Sequence, residues 1–207
     1  FFKLYQNSFK GLSVQVWWLS LITLINRAGT MVIPFMSLYL TENLKFTLSH
    51  VGWVMTAFGL GSVCGAWLGG KLSNKFGFYK VMFWSLFLSG FMFVGLQYIT
   101  SFEGICVAIF FLMLVADTFR PALFVAVAAY AKPENRTRAV TLIRLAINLG
   151  FSMGPAVGGF IIFGMGYNGL FWIDGITCIM AGLLFVYVLS ERNAANKIKE
   201  EEVGVKG

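Results

Sequence analysis

The apolar positions of this chain fall into long, nearly unbroken runs. Six stretches, roughly 13–40, 48–70, 79–99, 105–131, 138–163 and 168–190, are almost wholly hydrophobic and are separated by glycine, proline or charge. A helix that crosses a bilayer needs about 20 such residues, because each adds about 1.5 Å of rise across a hydrocarbon core of about 30 Å. Every run is long enough, so the pattern predicts an all-α membrane protein with six transmembrane helices. No run alternates with a period of two over about ten residues, which excludes the strands of a membrane barrel. Residues 1–12 carry Phe1, Phe2, Leu4, Tyr5 and Phe9 beside Lys3 and Lys10, and are expected either to lie in the membrane interface or to fray. Residues 191–207 are polar and charged, as a solvated tail or the start of a linker is.

The basic residues orient the six helices. Twelve of the 16 lysines and arginines fall before the first run, between the second and third, between the fourth and fifth, or after the sixth. The opposite loops hold only Lys45. Lysine and arginine are retained on the cytoplasmic side, so both termini are expected there, in a multi-pass protein of the plasma (inner) membrane. The stretch from Gly70 to Lys80, with Lys71, Lys75 and Lys80, is then a cytoplasmic loop between the second and third helices. The remaining three, Arg27, Arg120 and Arg144, lie inside helices.

The chain also repeats itself. LGSVCGAWLGG at 60–70 and LGFSMGPAVGG at 149–159 share a leucine and four glycines at an offset of 89, and Gly77 and Gly166 keep the same offset. Each copy belongs to a unit of three helices, so the second enters the membrane from the opposite side. Inverted repeats of this kind mark transporters. Gly61, Gly65 and Gly69 share one helix face, as do Gly150, Gly154 and Gly158. Such faces let another helix backbone approach closely, either for static packing or as a surface on which two bundles rock. Pro155, inside the fifth helix, is expected to bend it.

Composition narrows the class. Of 207 residues 58% are hydrophobic and 12% charged, against about 25% charged in soluble domains; the mean hydropathy is +0.77. The net charge of +7 is accounted for by the loops, so nucleic acid is not an expected partner. The three cysteines are far apart in apolar runs and His50 is the only histidine, so no metal or histidine-based catalytic site is expected. With no nucleophile–base pair and no phosphate-binding loop, neither an enzyme nor an ATP-driven pump is indicated, and no cofactor is implied.

Charges within the membrane are costly, about 2.5–3.5 kcal/mol each on insertion scales, and so point to function. Arg27 lies in the first helix beside Asn26. Asp117 and Arg120 lie three apart in the fourth, on one face of a continuous helix. Arg144 lies in the fifth, with Asn148 one turn away. Asp117 is the carboxylate expected near mid-membrane, either as a proton or substrate site or in a structural ion pair with Arg120. Arg144 is expected in the cavity or reaching out to the headgroups. Asp174 sits nearer the outer end of the sixth helix, as a structural or interfacial residue.

The stretch GKLSNKFGFYK resembles the loop 2–3 signature of the major facilitator superfamily, G-x-L-x-D-R-x-G-R-[RK]. Gly70, Leu72, Gly77 and Lys80 are close to it, Lys75 stands for its basic residue, and Asn74 takes the place of its acid. Gly150, Gly154, Pro155, Gly158 and Gly159 are similar to the helix 5 signature G-x-x-x-G-P-x-x-G-G, associated with proton-driven antiporters that include multidrug exporters. Residues 133–139, PENRTRA, are similar to the superfamily's loop 4–5. Weaker similarity links Asn26–Arg27, Leu38 to Thr41, Arg120–Pro121 and Ile147 to Gly150 to proton-coupled oligopeptide transporters, although Thr23 and Asn26 stand where that family has acids. The resemblance implies the N-terminal six-helix half of a twelve-helix fold. In that fold helices 1 and 4 line the central cavity, and helices 2 and 5 turn their glycine faces to a C-terminal half. The expected function is proton-coupled export of small organic or drug-like molecules by alternating access. Uptake of peptides or other anionic nutrients, and a non-transporting scaffold or receptor, are the alternatives. Lipid, a small-molecule substrate, protons and the second half are the expected partners.

Overall fold

The computed structural model describes residues 11–189. The proposed interfacial segment therefore lies almost wholly outside the described residues, and the polar tail wholly so. Within them the chain forms α1 (Val14–Ala28), α2 (Val32–Leu38), a π-helical turn (Tyr39–Asn43), α3 (Leu48–Phe76), α4 (Phe78–Leu96), α5 (Phe102–Ala116), α6 (Phe119–Tyr130), a short 3-10 turn (Pro133–Asn135), α7 (Arg136–Met165) and α8 (Tyr167–Val188). Grouped by continuity, these make six spans long and apolar enough to cross a membrane: Val14–Asn43, Leu48–Phe76, Phe78–Leu96, Phe102–Tyr130, Pro133–Met165 and Tyr167–Val188. The starts of α3 and α5 are set by side chains that accept from otherwise unbonded amides. The Thr47 hydroxyl accepts from the His50 N–H, and that of Ser101 from the Gly104 N–H.

Gly70 to Lys80 is not a loop. The second span stays helical to Phe76 and the third begins at Phe78, so Gly77 alone turns the chain. Charge does not end a helix. Lys71 and Lys75 project from its exposed end, and the Lys71 ammonium sits 3.8 Å from the Trp67 ring centroid. What ends it is backbone geometry. Gly77 has φ +83° and ψ 149°, and its counterpart Gly166, between the fifth and sixth spans, has φ +71° and ψ −175°. Both joints lie in a region essentially reserved for glycine. Gly77→Ala is therefore expected to lower stability by about 1–3 kcal/mol. A thermal melt of the purified protein in detergent checks this.

The first and fourth spans are broken in the middle, at residues 29–31 and at Asp117–Thr118. Each break sits four residues before a proline, Pro34 or Pro121. Proline has no N–H for the carbonyl of residue i−4 and its ring crowds that carbonyl, which here belongs to Thr30 or Asp117. In the fifth span α7 runs through Pro155 without interruption, so the local break falls in the other two spans.

The repeat survives folding. Span 2 packs chiefly on span 4, span 5 on span 1, and span 3 on span 6. Exchanging 1 with 4, 2 with 5 and 3 with 6 reproduces that pairing. The glycine faces lie inside these contacts and do not face a second bundle, contrary to the expectation above. A Cβ on Gly65 would meet the Leu114 carbonyl oxygen at 2.5 Å, and one on Gly150 the Arg27 Cβ at 2.5 Å. The opposite sides of spans 2 and 5 are the open ones, carrying exposed Val63 and Trp67 on one and Phe160 and Phe163 on the other.

The buried core forms two clusters. One gathers Leu19, Ile22, Met82, Phe119, Tyr130 and Phe185; the other gathers Val32, Met36, Val54, Ile109 and Phe171.

Candidate functional site

Between the spans, bordered by residues of both clusters, lies a cavity of about 590 Å³, to which all six spans contribute. Such a volume suits a small organic molecule. Asn26, Arg27, Asp117, Arg120 and Arg144 all line it. Asn148 is exposed and is not part of the lining.

Asp117 stands at the proline-made break, where α5 ends and its backbone N–H still reaches the Met113 carbonyl at 3.0 Å. Its carboxylate accepts a hydrogen bond from the Ser62 hydroxyl of α3. Asp117 and Arg120 fall on either side of the break, and both line the cavity. Among the described residues no ion pair joins them. Ser62 carried no signal in the sequence beyond its place between two face glycines. Gly61 and Gly65 bring α3 close enough to α5 for that hydroxyl to reach across.

Arg27 ends α1 and is half-buried. Its guanidinium carbon lies 5.6 Å from the centroid of the Phe151 ring on α7. Gly150, next to Phe151, is what permits this: with no side chain it lets α7 touch the backbone of Arg27 and Ala28. The helix 5 glycines thus position a cavity arginine, and Gly154 and Gly158 extend the same contact past the break to Thr30, Met31 and Phe35. The Asn26 amide donates to Cys178 Sγ at 3.4 Å, in the buried wall behind. Arg120 on α6 and Arg144 on α7 are exposed toward the cavity opening.

Asp174 is fully buried, not interfacial, so Asp117 is not the only carboxylate in the interior. Its Oδ1 and Oδ2 accept from the Met31 N–H at 2.9 and 3.0 Å, and Oδ2 also from the Val32 N–H at 2.8 Å. These amides lie where α2 restarts after the break; that of Met31 also reaches the Gly29 carbonyl at 3.0 Å, and hydrocarbon would offer neither a partner. The restart in turn fixes Thr30, another cavity residue. Pro34 was the sequence signal for this arrangement. Nothing in the sequence pointed to the distant acid that completes it.

The resemblance residues at the far end of span 2 take no part in the cavity. Gly70 and Leu72 are half-buried, and Asn74, Lys75 and Lys80 are exposed around the Gly77 joint. Among the described residues the Asn74 side chain bonds no helix N-terminus. Pro155 and Gly159 lie on the exposed side of α7, away from the glycine contact.

The family model described as Major Facilitator Superfamily matches residues 19–206. Among similar proteins, the uncharacterized MFS-type transporter YqjV of Bacillus subtilis is 30% identical over 69% of this chain and 35% of its own length. Multidrug resistance protein 2 of Bacillus subtilis is 25% identical over 78% of this chain and 40% of its own. The 4-hydroxybenzoate transporter PcaK of Acinetobacter baylyi is 23% identical over 83% and 37%. The chain thus spans less than half the length of these relatives.

Proposed function

The chain belongs to the major facilitator superfamily, and from that premise we propose that it forms the N-terminal wall of a proton-coupled secondary transporter that exports small organic molecules. The observation that carries the proposal is Asp117. It is a carboxylate lining the cavity, set at a proline-made break, and held by one hydroxyl rather than by a permanent ion pair. In this reading that carboxylate carries the coupled proton as the cavity opens to one side and then the other. The Ser62 hydroxyl donates to the carboxylate, and it can turn to accept when the proton is there.

Alternating access needs a second wall. The exposed apolar sides of spans 2 and 5, with Val63, Trp67, Phe160 and Phe163, suit a C-terminal six-helix half, which is also in keeping with the greater length of the relatives. Rocking then occurs between halves, while the glycine contacts hold each three-helix unit to the other. Export is favoured by the resemblance of the Gly150–Gly159 stretch to antiporter signatures and by the multidrug resistance relative. The loop lysines favour insertion in the plasma membrane with both termini in the cytoplasm.

The test uses the intact protein in proteoliposomes with an imposed pH gradient and a panel of labelled organic compounds. Gradient-driven flux of at least one compound is expected. Asp117→Asn should abolish the response to the gradient while leaving exchange of substrate down its own gradient. Ser62→Ala should shift the pH at which transport is half-maximal. Full gradient response in Asp117→Asn removes Asp117 from the coupling step. The absence of flux for every compound favours a scaffold.

A further inference from the structure

We propose that the cavity selects organic anions, molecules carrying a carboxylate or sulfonate on an aromatic or apolar body, with the charged group held among Arg27, Arg120 and Arg144. This rests on the cavity being the transport site. It goes further by naming the substrate class, and it sets this site apart from one built for cationic drugs.

Three guanidiniums and one carboxylate are the charged groups of the lining. One carboxylate offsets only part of that charge: Asp117 acts on Arg27 across the cavity while accepting from Ser62, and among the described residues none of the three arginines forms a salt bridge. Arg27 is held by the ring of Phe151, a weak partner for a full charge at this depth. The three arginines come from three different spans, the first, fourth and fifth, and converge on one space. Like charges brought together at membrane depth repel, and the repulsion is relieved when an anion enters between them. A guanidinium offers paired N–H donors in the plane that a carboxylate or sulfonate accepts, so the match is geometric as well as electrostatic.

The rest of the wall describes the body of the ligand. Phe58, Phe93, Phe124 and Phe151 come from four spans and leave apolar ring surface facing the cavity. An aromatic or alkyl body gains contact area against these rings. A cation would meet the excess of positive charge. A neutral isostere would leave the arginines as they are, without compensation.

The experiment is calorimetric titration of the intact protein in nanodiscs, with no pH gradient and at low ionic strength. It uses two matched sets: benzoate, benzamide and benzylamine, and the corresponding 2-naphthyl acid, amide and amine. In at least one set the acid is expected to bind about tenfold or more tightly than its amide, with the amine weakest, since hydrogen bonds to charged groups are worth that much. Arg120→Gln should weaken the acid about tenfold while leaving the amide unchanged, and Arg120→Lys should recover part of the loss. Arg120 is exposed, so its variants test the charge without challenging the fold. Arg144→Gln gives an independent check on a second exposed position. Acids that bind no better than their amides in both sets overturn the proposal, as do amines that bind as well, or acid affinity unchanged in both glutamine variants. The transport reading fails separately. Gradient-driven flux confined to cations would remove the anion proposal and keep transport, whereas tight acid binding without any flux would keep the anion site and remove transport.

Discussion

Asp174→Ala is expected to lower stability by about 3 kcal/mol or more, a large fraction of the 5–15 kcal/mol typical of a folded domain. The carboxylate is fully buried and accepts from two backbone amides, that of Val32 and that of Met31, which it shares with the Gly29 carbonyl at 3.0 Å. Removing it leaves the Val32 amide unbonded and that of Met31 with the Gly29 carbonyl alone at the point where the first span restarts, and α2 loses its anchor to α8. Asp174→Asn separates the bonding from the charge. Oδ2 accepts from both amides, so one amide oxygen in its place preserves the two contacts. The asparagine variant should therefore melt between wild type and alanine. Melting temperature in detergent, followed by fluorescence-detected gel filtration, reads the order. An alanine variant as stable as wild type would show that the break does not depend on this carboxylate. Transport should fall with stability in the alanine variant, because the restart also fixes Thr30 in the cavity wall.

Gly65→Ala is expected to cost about 1–3 kcal/mol, the usual penalty for forcing atoms into a filled contact. The added Cβ would stand 2.5 Å from the Leu114 carbonyl oxygen, 2.9 Å from that of Met113 and 3.0 Å from the Leu114 Cα. All three are backbone atoms, so nothing can swing aside and spans 2 and 4 must separate. Gly59→Ala, on the same helix, meets nothing within 4 Å and should be neutral or mildly stabilising. The contrast removes helix propensity as an explanation. Separation of the spans also draws Ser62 away from Asp117. The same alanine should then alter the pH dependence of transport, and Gly59→Ala should not. Equal melting temperatures for the two variants would mean that the glycine contact is not tightly held.

Much of the architecture was legible in the pattern of residues. Six apolar runs of sufficient length allow no other arrangement in a membrane, where each span must bond its own backbone. The 89-residue offset between the two glycine sets announced the repeat, and folding carries it down to the joints, where Gly77 and Gly166 adopt a conformation open to few other residues. Membership of the superfamily follows from residues in the same stretches. Arg27, Asp117, Arg120 and Arg144 stood out because charge is costly at membrane depth, and the fold brings those four into one cavity.

The remainder depended on contacts between distant segments. A row of glycines says that some backbone comes close, but not which one. The spans it touches are 4 and 1, inside the bundle, because the three-helix units interlock there. Proline says that a carbonyl loses its partner, but whether the helix breaks depends on the surroundings. It breaks at Thr30, where Asp174 accepts from the Met31 and Val32 amides, 143 and 142 positions away, and not in α7. The spacing of Asp117 and Arg120 allowed an ion pair, but the acid instead accepts from Ser62 of another span. Hydrophobicity, periodicity and repeat are properties of each segment, so the spans, their inverted repeat and the charges placed among them could be read along the chain. Which helices meet, where they break and which polar groups then face one another are properties of pairs of segments, and these emerge only when the segments pack.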